Sequence, residues 1–80
     1  WLQAGGQQIH LLQLDTMDAR SGRPQHVGRD RHTAFTVTRL AELEQCLRQA
    51  GIAFTRSRSG RQALFCRDPD ANGLEFIQAP

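Results

Sequence analysis

The clearest periodic pattern in the chain lies at residues 39–50, RLAELEQCLRQA. Its apolar residues recur every three or four positions, at Leu40, Leu43, Leu47 and Ala50. This spacing predicts an amphipathic helix with a single apolar stripe. Thr38 stands before the run as a candidate N-cap, and Gly51 follows it as a candidate C′ residue.

Alternating and β-branched runs predict strands around this helix, at residues 32–37, 52–57, 61–66 and 74–78. Residues 1–14 form a predicted hairpin that turns at the Gly-Gly pair, and the polar residues 15–31 form a connecting loop. The order from residue 32 onward is therefore β-α-β-β-β. This order predicts an α+β fold in which the helix covers one face of a mostly antiparallel sheet.

The strand pattern predicts that ionisable residues lie on the sheet face away from the helix. Larger apolar residues predict the face toward the helix: Phe35, Val37, Leu74 and Phe76. Because side chains alternate along a strand, His32 and Glu75 then point to the opposite face. His10 lies on a mixed polar face of the predicted hairpin.

Two imidazoles and a carboxylate are good ligands for a divalent first-row metal, so His10, His32 and Glu75 are candidate ligands. The pattern alone also allows a simpler interpretation. A strand histidine is usually hydrogen-bonded and partly exposed, and a strand glutamate is often solvated or paired with arginine. Arg61 and Arg67 are near Glu75 in the sequence.

Composition narrows the possible partners. The 80 residues carry ten basic residues, all Arg, and eight acidic ones, for a net charge of +2. The arginines are interleaved with acids, so nothing favours a nucleic-acid partner. No apolar run approaches the roughly 20 residues that span a bilayer, so we expect no membrane partner. The Arg-only usage fits either an anion site or codon bias with a solvated surface.

The two cysteines and the histidine of the connecting loop also allow predictions. Cys46 and Cys66 form no CxxC pair, and we expect two buried, reduced thiols, which predicts a cytoplasmic location. His26 lies in the connecting loop near Arg29, and we expect it to be solvated. A gating or anion-binding role for this loop is the alternative.

As an ordered set, four segments resemble the vicinal oxygen chelate superfamily, which includes glyoxalase I, bleomycin resistance proteins and extradiol dioxygenases. The resemblance is closest to uncharacterised glyoxalase family proteins. The segments are IHLLQL, GRPQHVGRDRHTAFTV, LAELEQCLRQAGI and RQALFCRDPDANGLEFIQ. The resemblance implies two βαβββ modules whose sheets curl around a metal. Residues 32–80 would be a second module and residues 1–14 the last hairpin of a first, N-terminally truncated one, with 15–31 connecting them.

The resemblance also implies roles for the candidate residues. His32 matches the first-strand histidine of the second module, Glu75 its last-strand glutamate, and His10 the last-strand position of the first module. Glu75 is thus the catalytic candidate as well as a ligand. Two departures stand out: His10 replaces an acid, and Ala71 occupies a turn position that is usually Gly.

Three functions follow as hypotheses. The first is a metal-dependent lyase or isomerase of the glyoxalase type, acting on a small substrate with vicinal oxygens through Zn, Ni, Mn or Fe, with an extradiol-type dioxygenase as a variant. The second is metal-free sequestration of a small molecule. The third is a half module that only dimerises. We expect a homodimer, or completion by a first module.

Overall fold

The computed structural model describes residues 2–12 and 21–80, which form two sheets and one α-helix. In chain order the elements are β1 (Leu2–Ala4), β2 (Gln7–Ile9), a 3₁₀ turn (Val27–Arg29), β3 (His32–Val37), α1 (Leu40–Gln49), β4 (Phe54–Arg56), β5 (Ala63–Arg67) and β6 (Gly73–Gln78). One helix with a mixed four-stranded sheet is compatible with the predicted α+β class. The assignment of Leu14 to the hairpin lies outside the described residues.

The main sheet has the strand order β3-β6-β5-β4. β3 pairs with β6 in parallel, whereas β6 with β5 and β5 with β4 are antiparallel. β1 and β2 form a separate antiparallel hairpin that turns at Gly5-Gly6, as predicted. The parallel β3–β6 pair places the first and last strands of the β-α-β-β-β unit side by side.

The helix lies between Leu40 and Gln49, close to its predicted bounds. Its C-terminus ends as predicted, because Gly51 takes φ +70° and two backbone bonds close a Schellman motif, Gly51 N–H to Arg48 O and Ile52 N–H to Leu47 O. The predicted Thr38 cap is wrong. The N-cap residue is Arg39, which makes no side-chain cap bond.

The register confirms which face each strand residue occupies. Phe35 pairs with Phe76, and their rings stack at 5.8 Å. This is the helix face, since the side chain of Gln78 reaches the backbone of Leu40 at the start of α1. Glu75 therefore faces away from the helix, as predicted.

The buried apolar core is small and centres on β5. It consists of Val27, Leu47, Ala63, Leu64, Phe65 and Cys66. Cys66 is buried as expected, but Cys46 is exposed, so its prediction as a core residue is wrong. In α1, Cys46 lies beside the apolar stripe rather than within it, so its side chain faces solvent. Among the described residues, no helix combines the length and apolar character that a membrane crossing requires.

Candidate functional site

The face away from the helix is partly covered by residues 23–31, here called the covering loop. Its residues Val27 and His26 are buried, at 3% and 8% exposure. The expectation that His26 is solvated is therefore wrong. The loop comes so close to β6 that a Cβ on Gly73 would lie 2.6 Å from the carbonyl oxygen of Arg31. Only a residue without a side chain fits at this position.

Charged side chains anchor the covering loop to β5. Asp30 accepts from Arg23 at 2.8 Å and pairs with Arg67 at 3.0 Å. Arg67 also donates to the carbonyl oxygens of Pro24 and Ala71, at 2.7 and 2.9 Å. Partial burial raises the pKa of Asp30, but the bonds from the Arg31 amide, Arg67 and Arg23 outweigh it and leave this pKa below its ordinary value.

Glu75 is the buried acid of this face. It is only 5% exposed and has apolar residues on both sides in β6. Its Oε1 lies 3.0 Å from Nε2 of His32, and its Oε2 lies 3.4 Å from a guanidinium nitrogen of Arg61. A buried carboxylate is tolerated only where such partners satisfy it. Within the described residues, no buried side-chain polar atom lacks a hydrogen-bond partner.

The position of His32 follows from the strand register. His32 is directly opposite Gly73, so Glu75 lies two residues further along the same face. Gly73 has no side chain to separate them, and the two functional groups meet. Residues 43 positions apart in the chain are thus in contact, on the sheet face to which strand alternation assigned both.

A hydrogen bond to the backbone fixes the tautomer of His32. Its Nδ1–H donates to the carbonyl oxygen of Asp30 at 2.8 Å, because a carbonyl oxygen can only accept. Nε2 is then the nitrogen that faces Glu75, and a proton must lie between Nε2 and Oε1 for the two to bond. Metal-ligating histidines characteristically make this same Nδ1–H to carbonyl contact.

The donor atoms of this pair have a separation that suits one metal ion. Two donors each about 2.1 Å from a metal are about 3.0 Å apart at the right angle of octahedral coordination, and about 3.4 Å apart at a tetrahedral angle. Nε2 of His32 and Oε1 of Glu75 are 3.0 Å apart. A metal would take the place of the proton that they share. The His32 side chain is 24% exposed, so the pair is reachable from solvent.

The third predicted ligand is not part of this contact. His10 is exposed and its Nε2–H donates to the side chain of Gln8 at 3.1 Å. In the part of the chain that is described, no group of three or more His, Cys, Asp or Glu residues is arranged to hold a metal. The structure therefore brings together two of the three candidates.

Arg61 and His26 are the site residues that the sequence assigned least clearly. Arg61 contacts Glu75 from an exposed position and realises the arginine pairing considered as the simpler interpretation. The other candidate, Arg67, pairs with Asp30 instead. His26 carried no periodic signal in a polar loop, so its burial was not predictable.

Comparison with known proteins adds no assignment. No protein-family profile matches the chain, and no curated protein matches it significantly.

Proposed function

We propose that residues 32–78 form a metal-binding module of the vicinal oxygen chelate type, with His32 and Glu75 as two of its metal ligands. The observation that carries the proposal is the 3.0 Å contact between Nε2 of His32 and the buried carboxylate of Glu75. The β-α-β-β-β order and the parallel pairing of the first and last strands support it, because they bring His32 and Glu75 next to each other.

The proposed activity is a glyoxalase-type lyase or isomerase reaction on a small substrate with vicinal oxygens. The divalent ion, when bound, supplies Lewis acidity toward two adjacent oxygens. His32 would be held in a fixed orientation by the Asp30 carbonyl, and Glu75 would provide the anionic ligand. Arg61, at 57% side-chain exposure, would place a positive charge where an anionic substrate group could reach it.

Two ligands are fewer than the three or four protein donors of most metal sites. The proposal therefore includes a further donor from a second copy of the chain or from a first module. His10 remains a candidate for this role on the resemblance alone. An extradiol-type dioxygenase is the variant of the same proposal, with Fe or Mn as the ion.

A metal-free binding protein is the second candidate function. It is favoured by Arg61, whose guanidinium lies 3.4 Å from Oε2 of Glu75. Together with His32 it satisfies the carboxylate without a metal. In that case the three side chains are polar contacts for a small molecule, and a guanidinium would suit an anionic one.

Metal titration of matched variants distinguishes the metal-binding function from the metal-free one. Calorimetry with Zn, Ni, Mn and Fe(II) should detect metal binding to the unsubstituted protein, here called the parent. Glu75→Gln or His32→Gln should weaken this binding at least about tenfold, or about 1.4 kcal/mol. Glu42→Gln is the matched control, since Glu42 is a 68% exposed helix side chain. Equal affinities in all four proteins would overturn the ligand assignment. No binding to the parent would favour the metal-free candidate.

A further inference from the structure

His26 is a buried histidine that the proposed function does not use. Its Nδ1 lies 2.7 Å from the hydroxyl oxygen of Thr55 in β4. Its ring meets the ring of Phe65 in β5 edge-on, with centroids 5.1 Å apart. The backbone of Gly28 packs against the same ring, since an added Cβ there would lie 2.8 Å from Nε2. His26 thus joins the covering loop to two strands.

The covering loop and Phe65 also position His32. The Phe65 ring contacts His32 edge-on at 5.3 Å, so one phenyl ring lies against both histidines. Asp30, at the other end of the covering loop, accepts the Nδ1–H of His32 at 2.8 Å. A displacement of the loop at His26 would therefore reach His32 by two routes, through the Phe65 ring and through the Asp30 carbonyl.

The surroundings of His26 disfavour a positive charge. Burial, and then the charges of Arg58 in the β4–β5 turn and Arg29 in the covering loop, lower the pKa of His26 below its ordinary value. From β4 and β5, the uncharged side chains of Thr55 and Phe65 contact the ring. The charged anchor of the loop, Asp30 with Arg23 and Arg67, is a separate attachment.

We propose that His26 is a pH-sensitive latch that, when neutral, holds the covering loop on the sheet and so positions His32 opposite Glu75. Protonation adds a third cation beside Arg29 and Arg58 inside a buried contact, and this releases the loop around Gly28. His26 is a positioning residue, because it acts on His32 through Phe65 and Asp30. The latch concerns the geometry of the pair and stands whether or not the pair binds a metal.

Histidine NMR of the metal-free protein tests the latch directly. A titration that follows the imidazole signals of all three histidines should place the midpoint of His26 below 6.5, its ordinary value. The amide of Gly28 and the ring signals of His32 should shift with a component at that same midpoint. In His26→Gln, whose amide can still bond to Thr55, this component should disappear.

Glu42→Gln is the control, because Glu42 is an exposed side chain of α1, outside the site. It should leave the Gly28 and His32 signals, and their component at the His26 midpoint, unchanged. The proposal is overturned if the Gly28 and His32 signals of the parent are insensitive to His26 titration. A His26 midpoint at or above the ordinary value would overturn it as well. Both outcomes are read from the parent, so they do not depend on the folding of a variant.

Discussion

Ala71 has a left-handed backbone conformation, with φ +68°, in the turn that leads into β6. The turn is organised by Asp68, whose carboxylate accepts from the amides of Asp70 and Asn72. The same conformation costs an L-residue about 1–2 kcal/mol relative to glycine. The turn sets the direction in which β6 begins, and β6 carries Glu75. The strained residue is therefore close to the proposed site.

Replacing the strained residue should stabilise the protein. We expect Ala71→Gly to raise the free energy of unfolding by about 0.5–1 kcal/mol, because relief of strain exceeds the added entropy of the unfolded chain. Urea unfolding measures the change. Ala50→Gly is the matched control at φ −83° and should lower stability. A loss of stability in Ala71→Gly would contradict this interpretation of the turn.

At the residue scale, the sequence predicted that His32 and Glu75 share a sheet face, but not the contacts that they make on it. Strand alternation alone put both residues on one face, because that period is insensitive to small errors in strand ends. Arg61 and His26 lie outside or between periodic segments, and their partners depend on how loops fold back. The exposure of His10 shows the same limit, since a hairpin pattern does not say what lies across from it.

At the element scale, the start of α1 is held by a strand rather than by its own sequence. The backbone amide of Leu40 donates to the side-chain Oε1 of Gln78 at 2.9 Å, and the side-chain Nε2 of Gln78 donates to the carbonyl oxygen of Thr38 at 2.8 Å. A side chain from β6 thus does what a local N-cap residue usually does. Sequence rules consider only neighbours in the chain, which is why they favoured Thr38.

Removing this cap should loosen the helix where it joins the sheet. We expect Gln78→Ala to lower the free energy of unfolding by about 1–2 kcal/mol, because it leaves helix-end groups unpaired. Gln62→Ala, at an exposed position, should change it by less than about 0.5 kcal/mol. Urea unfolding of both variants decides the matter. Equal effects would mean that the Gln78 contacts contribute nothing specific.

At the scale of the whole molecule, the core is thin and the sheet is covered unequally. Leu64 is the only large side chain that is fully buried in the described residues. α1 covers one face, while the other depends on the covering loop, which is attached through His26 and Asp30. A small domain has little stability to spare, so these two titratable attachments should be visible in its response to pH.

Stability should therefore fall as pH is lowered. Burial and the charges of Arg58 and Arg29 lower the pKa of His26 in the folded protein. The contribution of His26 to the free energy of unfolding is therefore complete above pH 6.5, its ordinary pKa. This contribution is lost as the pH falls through the pKa of His26 in the folded protein. The pKa of Asp30 is also lowered, so Asp30 contributes fully to the free energy of unfolding above pH 3.8, and this contribution is lost at lower pH. Urea unfolding from about pH 8 to about pH 3 measures both steps. In His26→Gln the first step should be smaller, and an unchanged first step would contradict this assignment.

We propose that His32 and Glu75 bind one metal ion on the sheet face away from the helix. Anomalous diffraction from crystals grown with Ni or Zn is the sharpest test of this site. We expect an anomalous peak at about 2.0–2.2 Å from both Nε2 of His32 and a carboxylate oxygen of Glu75. A metal bound elsewhere, or Glu75 still bonded to His32 and Arg61 with no peak between them, would contradict it.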